Sequence, residues 1–388
     1  MNWTREERFL TLIAGQRLDD QKITCIRNEL RDGLDWLLLV NRAMQEGMAA
    51  MFYVHARDLE LFVLMPQWVE EKLKDVYHRT IFHNLKILGF LNELGEVLKK
   101  RRVPVIVLQG ASLLKDVYKD IGIRPMEDID MMVRSKDRMR LRQILEEMGY
   151  SRDPIYENTY RKGIIYLDLH TDTLSSERIS ARKWIMSTDS THFWDSAVPL
   201  LKKEIPVFRL STYDNLIALS MHLLKHNLTR LVWFVDIMEA IFKEGDTFDW
   251  QDFAGYSRMV GGDRCILYML LLLKNLVDMK LPDSVLSELG ANHLSRIEKF
   301  ILRLRLANED TGFLPQLLWL FQIRQKSKRL FFVWENIFPK KEIMEQISPS
   351  SAHALPPYAI RLIYLLCHGF HNLSSAVRIA TKRRLPRL

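Results

Sequence analysis

Cysteine is scarce in this chain: Cys25, Cys265 and Cys367 are the only three in 388 residues, and they lie far apart. No CxxC pair occurs, so neither a disulfide framework nor a structural zinc site is expected, and a reducing cytoplasm fits best. Long apolar runs are also missing. The longest, such as CILYMLLLLKNLV, break within about 10–14 residues, the length of a buried helix rather than a membrane span. The start, MNWTREERFLTLIAG, has neither a long apolar core nor a small-residue cleavage site, so no secretory signal is expected. No internal repeat or low-complexity block stands out. Charge of one sign is not in large excess. The formal net charge is +8, compatible with a phosphate-bearing partner but too modest, without a dedicated motif, to argue for nucleic acid.

What remains is an ordinary globular composition, 48% hydrophobic and 27% charged, in a chain long enough for two or three domains. Residues 1–100 read as helices. In FHNLKILGFLNELGEVLKKR the periodic apolar positions are Phe82, Leu85, Leu88, Leu91, Leu94 and Leu98, and the basic end suits a helix C-terminus. The period then changes. VPVIVLQG (103–110) reads as a buried strand, and ASLLKDVYKDIG (111–122) as a helix closed by Gly122. EDIDMMVR (127–134) reads as a second strand. SKDRMRLRQILEEMGY (135–150) reads as a helix capped by Ser135, and TYRKGIIYLDLHTD (159–172) as a third strand or hairpin. From Ser211 the chain is helical again, opening on a Ser/Thr–x–x–acid cap. SPSSAHALPPY (348–358) reads as a linker, followed by a last helix and the basic tail TKRRLPRL.

This gives an α+β organisation: a helical region at 1–100, a small mixed-sheet core at 101–210, a second helical region at 211–347, and a linker, helix and tail at 348–388.

The chemistry concentrates in the core. On a strand, side chains alternate faces, so Asp128 and Asp130 project together while Ile129 and Met131 turn away. Asp168 joins that face if its strand pairs beside the second. Three carboxylates in one place repel unless cations neutralise them. An all-oxygen donor set suits magnesium, and two such ions can hold an attacking oxygen and a leaving pyrophosphate in line. Gly110 ends one strand and opens a helix, whose N-terminus offers free N–H groups to a phosphate, with the Ser112 hydroxyl nearby. The alternative for the three acids is a solvated sheet face.

The order strand, Gly-x-Ser, helix, Asp-x-Asp strand and later single acid resembles the nucleotidyltransferase superfamily that includes DNA polymerase β and the aminoglycoside nucleotidyltransferases. More narrowly, LQGASLLKDVYKDIGIRPMEDIDMMV, IIYLDLHTD and STYDNLIALSMHLLKHNLTRLVWFVDI look like the bacterial uncharacterised nucleotidyltransferase family, over roughly residues 30–245. The resemblance implies an α/β core followed by helices. It implies that Asp128 and Asp130 hold two Mg2+ ions and the triphosphate, that Asp168 completes one metal site and activates the incoming hydroxyl, and that Gly110 and Ser112 cradle the terminal phosphates. The superfamily usually has Gly-Ser or Gly-Gly adjacent, whereas here Ala111 intervenes, leaving backbone N–H groups as the phosphate donors.

Other residues carry two readings each. Arg124 reaches a phosphate bidentately or pairs with Glu127 or Asp128. Glu127 points to solvent. His170 shares the face of Asp168 and touches substrate or orients an acid. His222 and His226, four apart on a helix, have zinc-compatible spacing but no third ligand nearby, so they are expected to line the core or the cleft. Asp236, in an apolar helix, needs His226 or an arginine as partner and would help dock the helical region on the core. Trp184, Phe193, Trp194, Trp233 and Phe234 read as packing. The basic tail reads as solvated. The function expected is transfer of a nucleoside monophosphate from a nucleoside triphosphate to a hydroxyl of a small molecule or protein. The alternative is a helical interaction protein with a degenerate core.

Overall fold

The computed structural model describes residues 3–187, 189–309, 312–347, 356–363, 365–367, 386 and 388. Most of the expected linker, and nearly all of the basic tail, lie outside these residues.

A seven-stranded mixed sheet forms at the centre: β1 (Val105–Val107), β2 (Ile129–Val133), β3 (Ser151–Arg152), β4 (Thr159–Lys162), β5 (Ile165–His170), β6 (Val198–Pro199) and β7 (Val207–Arg209). Its order is β3-β4-β5-β2-β1-β7-β6. The pairs β2–β5 and β1–β7 are parallel and the others antiparallel. The third expected strand is thus a hairpin, β4 and β5, turning at Gly163, whose φ is +58°. The α+β class holds.

Strand alternation divides the core. Val105, Val107, Ile129, Met131, Val133, Leu167 and Leu169 face one side, where they meet Phe90, Leu94 and Leu98 of the long helix Gln67–Arg101 and Leu141, Ile144 and Leu145 of the helix Arg138–Glu147. Ile106 and Met132 face the other side and join a larger core. That core takes in Phe9 and Phe52 from the first helices and Leu216, Phe234 and Leu272 from the last, so the N- and C-terminal helices pack as one body over this face.

Several local expectations are corrected. The first strand is only three residues, because the helix begins at Gln109, right after Leu108 makes a last bond across to Asp130 O (2.9 Å). That helix, Gln109–Asp116, stops early, with Val117 and Tyr118 N–H both closing on Leu113 O. In the long helix the buried stripe runs through Tyr77, Asn84, Ile87, Leu91, Leu94 and Leu98, while Phe82 and Leu85 are exposed. Their spacing fitted a helix, but the sheet covers a neighbouring face. Ser135 opens a 3-10 turn, Ser135–Asp137, that leads into the next helix without a side-chain cap. Ser211 does cap its helix, Thr212–Lys225, accepting from the Asp214 N–H. Among the described residues, no helix is long and apolar enough to cross a membrane.

Candidate active site

The parallel pairing of β2 and β5 sets Asp130 directly opposite Asp168, with Met132 opposite His170. All of these project toward the helical body. His170 Nε2 lies 2.7 Å from Asp130 Oδ1, and Thr159 Oγ1, from the neighbouring strand, donates to Asp168 Oδ1 at 2.5 Å. One donor atom from each of Asp130, Asp168 and His170 falls within 4.8 Å of the others, a group able to hold a metal ion. Asp128 sits one residue before β2, exposed at the lip of the same cleft. It is not part of that closest group, because the strand that aligns the other acids begins after it.

The cleft measures about 1330 Å³ and is lined by Asp128, Asp168, His170, Ser175, Lys225 and Tyr166, among others. That exceeds the roughly 300–1,000 Å³ of a site for one small ligand and leaves room for two substrates. Asp130 lies just behind His170, its side chain 13% exposed.

The electrostatics are uneven. Partial burial, and then the charges of Asp130, Asp168 and Glu127, push the Asp128 carboxyl up to about 7. Burial acts the same way on Asp130, but the hydrogen bond and charge of His170 outweigh it and hold that carboxyl down at about 2. Burial works against a proton on His170, yet the bond to Asp130 wins and raises it above its ordinary value. The cluster as it stands is short of positive charge at Asp128, which is the condition a bound cation relieves. The oxygen donors of Asp130, Asp168 and Asp128 suit magnesium, and His170, read from the sequence as touching substrate or orienting an acid, lies against Asp130.

The residues expected at the phosphates are elsewhere. Gly110, Ser112 and Arg124 are buried and are not among the residues lining the cleft. The Ser112 hydroxyl donates to Gln109 O (2.8 Å). A Cβ on Gly110 would meet Arg124 Nη1 at 2.6 Å and Met126 Sδ at 2.7 Å, so the glycine makes room for those two side chains. Arg124 forms a bidentate pair with Asp236, Nη2 to Oδ2 at 2.6 Å and Nε to Oδ1 at 3.1 Å. Asp236 therefore has the arginine partner its burial demanded. Glu127 is solvent-exposed and pairs with Arg230 at 3.3 Å, not with Arg124. His222 and His226 stack with each other and with Trp233, ring centroids 4.5 to 5.1 Å apart, and neither lines the cleft. Burial, then His226, pushes His222 well down, and burial, then Lys225, lowers His226 to about 4. Of the five aromatics read as packing, Phe193 and Phe234 are buried and the tryptophans are partly buried against the same core. Lys225 and Ser175 were missed. A lysine at a helix end and a serine in a polar loop carry no signal until the fold brings them to the acids.

A mixed sheet with paired acids in register, opening on a cleft under a helical body, is the framework of a nucleotidyltransferase. The model of the uncharacterised nucleotidyltransferase family matches residues 32–278, and the chain belongs to that family. No curated protein and no solved structure matches it.

Proposed function

We propose that this protein is a divalent-metal-dependent nucleotidyltransferase that moves a nucleoside monophosphate from a nucleoside triphosphate to a hydroxyl of a small-molecule or protein acceptor. The observation that carries this is the direct register pair Asp130–Asp168, with Asp168 lining a cleft large enough for both substrates and Asp130 just behind its wall. Asp130 and Asp168, with Asp128 at the lip, would hold magnesium. When bound, the ion offsets charge on the triphosphate and stabilises the departing pyrophosphate. Asp168, oriented by Thr159, accepts the proton of the attacking hydroxyl. The new bond forms between that oxygen and the α-phosphorus, and the bond from the α-phosphorus to the bridging oxygen of pyrophosphate breaks. His170 orients Asp130 and keeps it ionised.

The test is incubation of the protein with each labelled triphosphate, magnesium and cell extract, with identification of what becomes labelled. Calorimetry supplies the control. Metal-dependent triphosphate binding by the wild type, lost in Asp130→Asn/Asp168→Asn, is expected. No such binding in the wild type leaves only a degenerate core.

A further inference from the structure

Lys225 is the last residue of the helix Thr212–Lys225, and its side chain lines the cleft beside Ser175, His170 and Asp168. Among the described residues its one side-chain hydrogen bond goes to Ser175 Oγ, and that bond is long, 3.4 Å. The chain reaches this arrangement at some cost. Ser175 is buried with φ +53°, a left-handed conformation uncommon for a non-glycine residue. Its hydroxyl lies between Lys225 Nζ and His170 Nδ1, the latter at 3.5 Å. Asp130, His170, Ser175 and Lys225 thus form a line from the acid pair to an ammonium group at the cleft wall. Lys225 is partly buried at the cleft wall and, among the described residues, makes no ion pair with a carboxylate, which leaves its ammonium open to an anion entering the cleft. Burial lowers Lys225 below its ordinary value, opposed by the charges of Asp130 and Asp168 and helped by those of Arg182 and Arg178.

Resting on the nucleotidyltransferase reading, we infer that Lys225 and Ser175 hold the terminal phosphates of the triphosphate, and so the leaving pyrophosphate, in place of Gly110 and Ser112. The acids then lie at one end of the phosphate chain and the ammonium of the helical body at the other. Ser112 is closed onto Gln109 O, and Arg124 and Met126 cover Gly110, so that helix start has no open face for the same anion.

The probe is inorganic tripolyphosphate, titrated calorimetrically into the full chain with magnesium. Lys225→Met is expected to weaken binding about 10- to 100-fold, the usual range for losing a hydrogen bond to a charged group, and Lys225→Arg to recover much of it. Circular dichroism and thermal melting check that each variant folds. If Lys225→Met does not fold, Ser175→Ala carries the test, with weaker tripolyphosphate binding expected. Wild-type affinity in a folded Lys225→Met, or in Ser175→Ala where that is the variant read, overturns the inference. Nucleotide transfer separates the two readings. Transfer by Lys225→Met at unchanged KM sinks the subsite alone. Lysine-dependent tripolyphosphate binding without any transferred nucleotide sinks the transferase reading alone. No binding by the wild type overturns both.

Discussion

Arg124, in the loop before β2, and Asp236, in the helix Leu231–Glu244, form a buried bidentate ion pair that ties the sheet to the helical body. Tyr118 adds a third bond to the same carboxylate, at 2.6 Å, and Asn84 of the long helix holds the Arg124 carbonyl at 2.9 Å. The first prediction follows from the asymmetry of buried charge. Asp236→Ala strands an unpaired guanidinium and is expected to cost about 3–5 kcal/mol, whereas Arg124→Met with Asp236→Leu removes both charges and costs less. Urea unfolding of the two variants checks this. Equal losses would mean that the pair is worth no more than its packing.

Asp128 predicts how stability depends on pH. Partial burial and the neighbouring acids push its folded carboxyl up to about 7, above the usual carboxylate range, so between about 4 and 7 the folded state is expected to hold a proton that the unfolded state has released. This contribution makes stability fall as pH rises through that window. Asp130 works in the opposite sense, supplying stability that is lost as pH drops from about 4 toward 2. Thermal melting without divalent ions is expected to show the decline between 4 and 7. Asp128→Asn should flatten it, and magnesium should restore stability at neutral pH. A melting profile unchanged by Asp128→Asn would contradict this assignment.

Gly110→Ala tests what that glycine is for. Its Cβ would fall 2.6 Å from Arg124 Nη1 and 2.9 Å from Cζ, and the guanidinium is fixed by Asp236. Met126 can yield more easily, being flexible at the thioether. The expected result is a destabilisation of about 1–3 kcal/mol from overpacking, partly offset by the better helix propensity of alanine. Chemical denaturation measures it. A stabilised variant would show that Arg124 has room to move.

The strands that carry Asp130 and Asp168 were legible in the sequence because strand alternation is local, whereas Asp128 lies before β2 and outside the closest group. So was the cap at Ser211. The short strands β6 and β7 were not, since VP and VFR are too brief to show a period and are strands only by pairing with distant partners. Arg124 shows a different limit. Its choice between a phosphate and a carboxylate turned on where residue 236 would fold, more than a hundred positions away. Ser112 shows a third: its side chain bonds its own helix, an option any serine near a helix start has, so a motif position does not fix where the hydroxyl points.

The last prediction separates metal holding from proton transfer within one pair. Asp130 and Asp168 are neighbours in register, but their partners differ: His170 for the first, Thr159 for the second. Asp168→Asn removes the proton acceptor and is expected to lower kcat roughly 10²–10⁴-fold, the usual worth of a general base. Thr159→Val leaves the carboxylate in place but removes its orienting hydroxyl, so it should lower kcat less and leave triphosphate affinity unchanged. His170→Ala acts through the other acid. Without its imidazole, burial raises the Asp130 carboxyl, and metal affinity should fall most at acidic pH, where that carboxyl now takes a proton. Magnesium titrations at pH 5.5 and 8 read this difference. An equal loss at both values would mean that His170 is itself a ligand rather than the group that keeps Asp130 ionised.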